Sequence, residues 1–213
     1  MRLALLMLLL TGCGLRSAAG KDGGTGGGSG GGAGGSGGGS ESPGTYRYEV
    51  APLDDGADAG RVMAISGPGN NLFAASNFGK VYRSTDGIAF KRVLDLKRDL
   101  LSVYVAPDGA VFLSAGSQLG VCRRPPCTTA SDFVWAAPPG TAADTSFYGL
   151  CGDSSSNVFA VGLTSSFNGD GVVVHHDGTS WSSEKPLGIT NVRACWLESS
   201  NVVWAAGMGQ VTK

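Results

Sequence analysis

From Asn70 onward, apolar and small residues come in short runs separated by turns rich in Gly, Asn, Asp and Ser. That rhythm belongs to strands, and no stretch of useful length spaces its apolar residues as a helix would. Four segments align with one another: NNLFAASNFGKVYRSTDGIAF, GAVFLSAGSQLGVCRR, SNVFAVGLTSSFNGDGVVVHHDGTSW and NVVWAAGMGQVTK. Their aromatic positions, Phe73, Phe112, Phe159 and Trp204, stand 39, 47 and 45 residues apart, and a second set, Phe90, Trp135 and Trp181, recurs at 45 and 46. Each unit reads as a short strand, a turn, an aromatic strand ending in small residues, a third strand and a closing aromatic strand.

Three or four strands in a unit of about 45 residues is the repeat of a β-propeller blade, so the pattern predicts an all-β chain of this architecture. A blade is a small twisted sheet that cannot cover both its faces alone. A large aromatic with small neighbours at a fixed place lets one blade nest on the next, and the text repeats because the packing problem repeats. The span from Thr45 to Lys213 holds three full units and a fourth that stops at GQVTK, where a third strand should begin. About four blades are expected, the last incomplete with an exposed edge, as in a fragment of a larger propeller. The competing arrangement closes a four-bladed ring with TYRYEV, Thr45–Val50, whose alternating Tyr46, Tyr48 and Val50 suit an outer strand.

The first 44 residues have another character. MRLALLMLLLTGCG carries one cation, Arg2, then an apolar run from Leu3 to Leu10 that is too short to span a bilayer as a helix. Leu10, Thr11, Gly12 and Cys13 resemble the lipobox of bacterial lipoproteins. The resemblance implies a signal peptide over residues 1–12, cleavage before Cys13, and diacylglyceryl and fatty-acyl (palmitate-type) modification of that cysteine. An ordinary secretory signal with a chance cysteine is the alternative, and both export the protein. Gly14 is not the aspartate that retains enteric lipoproteins in the inner membrane, which favours the outer membrane in a Gram-negative host. Residues 13–44 then form a linker, and 13 of the chain's 36 glycines fall between Gly23 and Gly39. A segment with so little apolar area to bury stays a flexible tether, spanning roughly 25–30 Å over its glycine-rich part.

STDGIAF resembles the Asp-box of BNR-type propellers through Ser84, Asp86, Gly87 and Phe90, and HHDGTSW keeps Asp177, Gly178 and Trp181 of that pattern without the serine. In that family the motif is a structural hairpin turn whose aspartate caps backbone N–H groups, with no part in chemistry. The unit around Phe112 lacks it. Sialidases share the Asp-box, but they need clustered arginines, a tyrosine–glutamate pair and an acid aspartate. Here the arginines are scattered, and the only glutamates after Thr45 are Glu49, Glu184 and Glu198. A non-catalytic docking propeller for a protein or glycan is the closer comparison. The alternative is an extracytoplasmic hydrolase or lyase whose catalytic residues lie in blades outside this chain.

Charge and remaining motifs narrow the choice. A formal charge of -1, from 16 basic and 17 acidic residues without long runs, offers no footprint for nucleic acid. His175 and His176 are adjacent on an expected strand and point to opposite faces, so they cannot chelate one metal together. DDGADAG, with Asp54, Asp55 and Asp58, lacks the spacing of a calcium loop, and NGDG, Asn168–Gly171, reads as a hairpin turn. No catalytic residue, metal or cofactor is expected; the expected partners are a lipid bilayer, through acylated Cys13, and a protein or glycan of unknown identity. Setting Cys13 aside leaves four cysteines in an oxidising setting. Of the three connectivities we favour Cys122 with Cys127, across CRRPPC, and Cys151 with Cys195. The second pair poses a register question. Aligned on Asn157 and Asn201 the two cysteines are equivalent, but aligned on Phe159 and Trp204 they shift by one residue and change face.

Overall fold

The computed structural model describes residues 51–54, 56–164, 169–184 and 188–213. Cys13, the tether, Thr45–Val50, Asp55 and Asn168 lie outside the described residues. Among those described there is no α-helix, only the 3-10 turns Gly56–Ala59 and Ala130–Asp132 and fifteen strands in four antiparallel sheets.

The first sheet runs β1 (Val62–Ser66), β2 (Leu72–Ser76), β3 (Lys80–Ser84), β4 (Lys91–Asp95). The second runs β5 (Ser102–Val105), β6 (Val111–Ala115), β7 (Gln118–Cys122), β8 (Val134–Ala136). The third runs β9 (Ser146–Ser154), β10 (Asn157–Leu163), β11 (Gly171–His176), β12 (Trp181–Ser183). The fourth holds β13 (Ala194–Ser199), β14 (Val202–Gly207) and β15 (Gln210–Thr212). Each is a meander in sequence order, as hairpin connections dictate. The β15 strand corrects one expectation, because the last unit contains a short third strand where the sequence was expected to stop short of it. With three strands, it leaves β15 as an edge.

The sheets stack in series, with β1 against β5, β5 against β9 and β9 against β13. No comparable packing joins β13 to β1 among the described residues, which form an open series of propeller blades; Thr45–Val50, the strand that would close a four-bladed ring, lies outside the described residues. Each sheet has a trailing face toward its predecessor and a leading face toward its successor. Phe73 and Ala75 lie in one core with Val103, Val111 and Leu113 of the second sheet. Phe112, Leu119 and Val121 enter a second core with Phe147, Val158, Ala160 and Trp181 of the third. Phe159 and Val161 meet Ala205 and Cys195 of the fourth in the next. Ala205 faces back, and neighbouring side chains alternate, so Trp204 points forward.

The two aromatic series thereby acquire a direction. Phe73, Phe112, Phe159 and Trp204 all sit on the second strand of a sheet and on its leading face. Phe90, Trp135 and Trp181 all sit at the outer strand on the trailing face. In the second sheet Trp135 lies over Gly120, where an added Cβ would come within 2.7 Å of the indole, so the absent side chain makes room for the ring. The first sheet has no predecessor among the described residues. The segment before it covers the β2–β4 part of its trailing face instead, with Leu53 and Ala59 packed on Ala74, Tyr82 and Phe90, while Ile65 of β1 stays 45% exposed on that face. Leu53 also bridges Phe90 in parallel, and both Asp54 carboxylate oxygens accept the Arg92 N–H at 2.9 Å. Asp54 is therefore a local cap.

Candidate binding groove between the second and third sheets

The turn between the third and fourth strands differs from sheet to sheet, and these differences build the site. In the first sheet, Asp86 Oδ1 accepts the N–H groups of Ile88 at 2.8 Å and Ala89 at 3.1 Å, and the Ser84 hydroxyl at 2.9 Å. Ser84 Oγ in turn accepts the Gly87 N–H at 2.9 Å. Gly87 has φ +74°, a conformation side chains other than glycine's rarely adopt. These hydrogen bonds, led by the Ile88 and Ala89 N–H groups, hold the Asp86 carboxyl down from 3.8 to about 2.

The third sheet repeats the device with a substitution. Asp177 Oδ1 accepts from the N–H groups of Thr179 and Ser180 at 2.8 and 2.9 Å and from the Thr179 hydroxyl at 2.8 Å. The Ser180 and Thr179 N–H groups are the main reasons its carboxyl is pushed far below the ordinary range. Alignment by sequence places His175 in the serine column. The fold places His176 there instead, since β11 ends one residue before the aspartate whereas β3 ends two before it. Nδ1 of His176 accepts the Gly178 N–H at 3.1 Å, doing for this turn what the Ser84 hydroxyl does for the first. The same Nδ1 lies 3.3 Å from the Ser155 carbonyl, and burial lowers the tendency of the imidazole to charge. His176 sits edge-on to Phe112 with centroids 5.3 Å apart, while His175 stacks on Phe159 at 4.5 Å on the other face.

In the second sheet the same position holds no aspartate turn. A disulfide, Cys122–Cys127, closes the loop with an S–S distance of 2.05 Å, and both cysteines are buried in the first intersheet core. Arg123 and Arg124 stand exposed on that loop. Arg123 Nη2 donates to the Thr179 carbonyl at 2.6 Å and so ties the disulfide loop of one sheet to the aspartate turn of the next. At the other end of β12 the Ser183 hydroxyl donates to the Pro139 carbonyl.

Between these two ties lies a groove of about 770 Å³. Register places Leu119 opposite Ala136 and Val121 opposite Val134, so these four line the leading face of β7 and β8. The facing wall is His176, Thr179, Ser180 and Trp181. Nothing among the described residues covers the leading face of β8, and Val134 is 73% exposed there. The Trp181 Nε1–H is buried without a hydrogen-bond partner. The Arg124 guanidinium has neither hydrogen bond nor ion pair among the described residues, whereas Oδ2 of Asp132 at the rim accepts the Thr128 and Thr129 N–H groups at 3.0 and 2.9 Å. Sequence inspection singled out the cysteines and Trp181 but not the groove, for which Arg123 and Arg124 within CRRPPC were the available signal.

A second hollow, about 490 Å³, lies at the opposite end of the sheets among Lys97, Gln118, Asp144 and Thr145. Its arginine, Arg98, is already engaged by Gln118 Oε1 at 2.9 Å and by the Trp135 ring at 4.2 Å. Two further arginines are engaged as well, half-buried Arg83 over Phe73 of the first sheet and exposed Arg193 over Tyr148 of the third. They do not converge as a carboxylate-binding cluster. Among the described residues no three His, Cys, Asp or Glu side chains come together as metal ligands would.

The second disulfide, Cys151–Cys195, resolves the register question. Cys151 pairs with Phe159 and so stands on the leading face of the third sheet; Cys195 pairs with Ala205 on the trailing face of the fourth. The one-residue shift that changes the face is what brings the two sulfurs together.

No family model and no curated protein matches the chain. Solved structures do, and the likeness is one of fold. YCF48 bound to D1 peptide superposes with a TM-score of 0.56 at 14% identity, over 71% of this chain and 50% of that one. The computationally designed Ika4 protein gives 0.54 at 12% over 78% and 97%, and an ancestral GH74 enzyme 0.54 at 18% over 78% and 24%. These neighbours are β-propellers, and the chain has that fold. It spans about half the length of YCF48 and a quarter of the GH74 enzyme.

Proposed function

We propose that the chain is an exported lipoprotein whose propeller serves as a binding module held away from a bacterial membrane. The observation that carries the binding reading is the groove, a trough of about 770 Å³ between two sheets whose walls are fixed to each other at both ends by Arg123–Thr179 and Ser183–Pro139. A concavity with an aliphatic wall and polar groups at its rim suits recognition. YCF48, a protein of the same fold, is known with a peptide bound, which is in keeping with this reading. Two disulfides support export, because such bonds persist where thiols are not kept reduced. The lipobox-like Leu10–Cys13 supports attachment, and two or three acyl chains on one cysteine would make it durable. The turns at Ser84–Phe90 and His176–Trp181 belong, in this reading, to the Asp-box type and serve as structural clamps.

Expression of the full chain in a bacterial host with an alkyne fatty acid tests the anchor. The wild type should take up the label and sediment with membranes, and Cys13→Ser should lose both. Sedimentation of the Ser variant with membranes, or an unlabelled wild type, would refute the lipoprotein reading while leaving the binding reading open.

A further inference from the structure

Building on the binding reading, we propose that the groove between the second and third sheets receives an extended acidic peptide segment, with an apolar side chain beside its carboxylate. Three observations converge on that ligand. First, the trough is aliphatic along Leu119, Val121, Val134 and Ala136, and Val134 and Ala136 remain exposed where a core strand would bury them. Burying an aliphatic side chain there recovers about 25 cal/mol for each Å² removed from water. Second, the charge at its rim is unbalanced. Arg124 has no partner among the described residues, Arg123 commits one donor to Thr179, and against these two cations stands a single carboxylate, Asp132, whose Oδ2 accepts the Thr128 and Thr129 N–H groups. A guanidinium set beside an apolar trough binds a carboxylate in paired hydrogen bonds and holds it next to the apolar side chain. Third, the trough runs along β8, the edge strand of its sheet, and an edge backbone can take an extended chain as an added strand.

The chemistry disfavours a sugar. A glycan needs an exposed aromatic face and a dense array of donors and acceptors, whereas Trp181 is only 7% exposed and four aliphatic side chains face it. The disulfide gives the arginines a fixed stage. Closing the loop at Cys122–Cys127 confines Arg123 and Arg124 to one rim of the groove, so little ordering of the loop remains to be done on binding.

The test is affinity selection from a pool of N-acetylated, C-amidated hexapeptides randomised at every position, using the full chain in detergent micelles. Recovered peptides should be enriched in Asp or Glu next to Leu, Ile, Val or Phe. Arg124→Ser should weaken the best of them about tenfold, the loss of one charge-assisted contact. Val134→Asp, at an exposed position that leaves the fold intact, should abolish binding by placing a like charge in the trough. Thermal melts of both variants, unchanged from wild type, would show that folding is not the cause. Recovery of no peptide, or of a set without acidic enrichment, would overturn the proposal. Acidic peptides that bind both variants as tightly as wild type would remove the groove as their site and leave the binding reading standing.

Discussion

Asp86 and Asp177 show how far single side chains govern the turns of this fold. Each folded carboxyl sits below its ordinary value because backbone N–H groups point at it, and each therefore stabilises the native state at neutral pH. The sign follows from linkage: with a depressed folded value, the contribution is complete above the ordinary 3.8 and fades as pH falls toward about 2 for Asp86. Acid unfolding followed by circular dichroism should become shallower over that window in Asp86→Asn, which keeps an acceptor oxygen but cannot titrate; an unchanged acid limb would speak against the capping role. Phe112 and Trp204 make a second comparison at this scale. They are the same residue of the repeat, but Phe112 is wholly buried among Tyr104, His176 and Trp181, while Trp204 is half-buried on the last leading face. Phe112→Ala should cost about 3–5 kcal/mol by urea unfolding and Trp204→Ala distinctly less. Equal losses would mean that the two positions are not equivalent in direction.

At the scale of elements, the disulfides do different work. Cys122–Cys127 closes five residues of one loop, whereas Cys151–Cys195 spans 44 residues and joins two sheets. In the chain-entropy account the short loop contributes about 2 kcal/mol and the long one about 4 kcal/mol. Replacing each pair by serine should therefore lower the melting temperature more for Cys151 and Cys195, and the reverse order would contradict the intersheet clamp. Much of this was legible in the sequence. The aromatic period located the second and outer strands, because the same nesting contact recurs. The groove was not legible, since it depends on how far the third sheet covers the outer strand of the second, a matter of packing between sheets that no single segment displays. The role of His176 was hidden for a related reason: alignment counts residues, while the turn counts from the last paired position of β11, which sits one residue nearer the aspartate.

For the whole molecule, packing in series makes the two ends unlike. Leu53 and Ala59 cover the β2–β4 part of the first sheet's trailing face, whereas the fourth sheet turns Trp196 and Val211 outward at 57% and 66% exposure, with Lys213 reaching over Trp204 at 5.1 Å. Stability should be graded accordingly, because local opening is easiest where buried apolar contact is sparse. Amide exchange should be slowest in β6 and β10, which are packed on both faces, and fastest in β15; uniform protection would argue against serial stacking. The most direct measurement of the central claim, that successive sheets meet leading face to trailing face in this register, is disulfide mapping of the oxidised protein by non-reducing peptide mass spectrometry. The account predicts Cys122 linked to Cys127 and Cys151 linked to Cys195. Any crossed linkage, such as Cys122 to Cys195, or free thiols at Cys151 and Cys195, would contradict it.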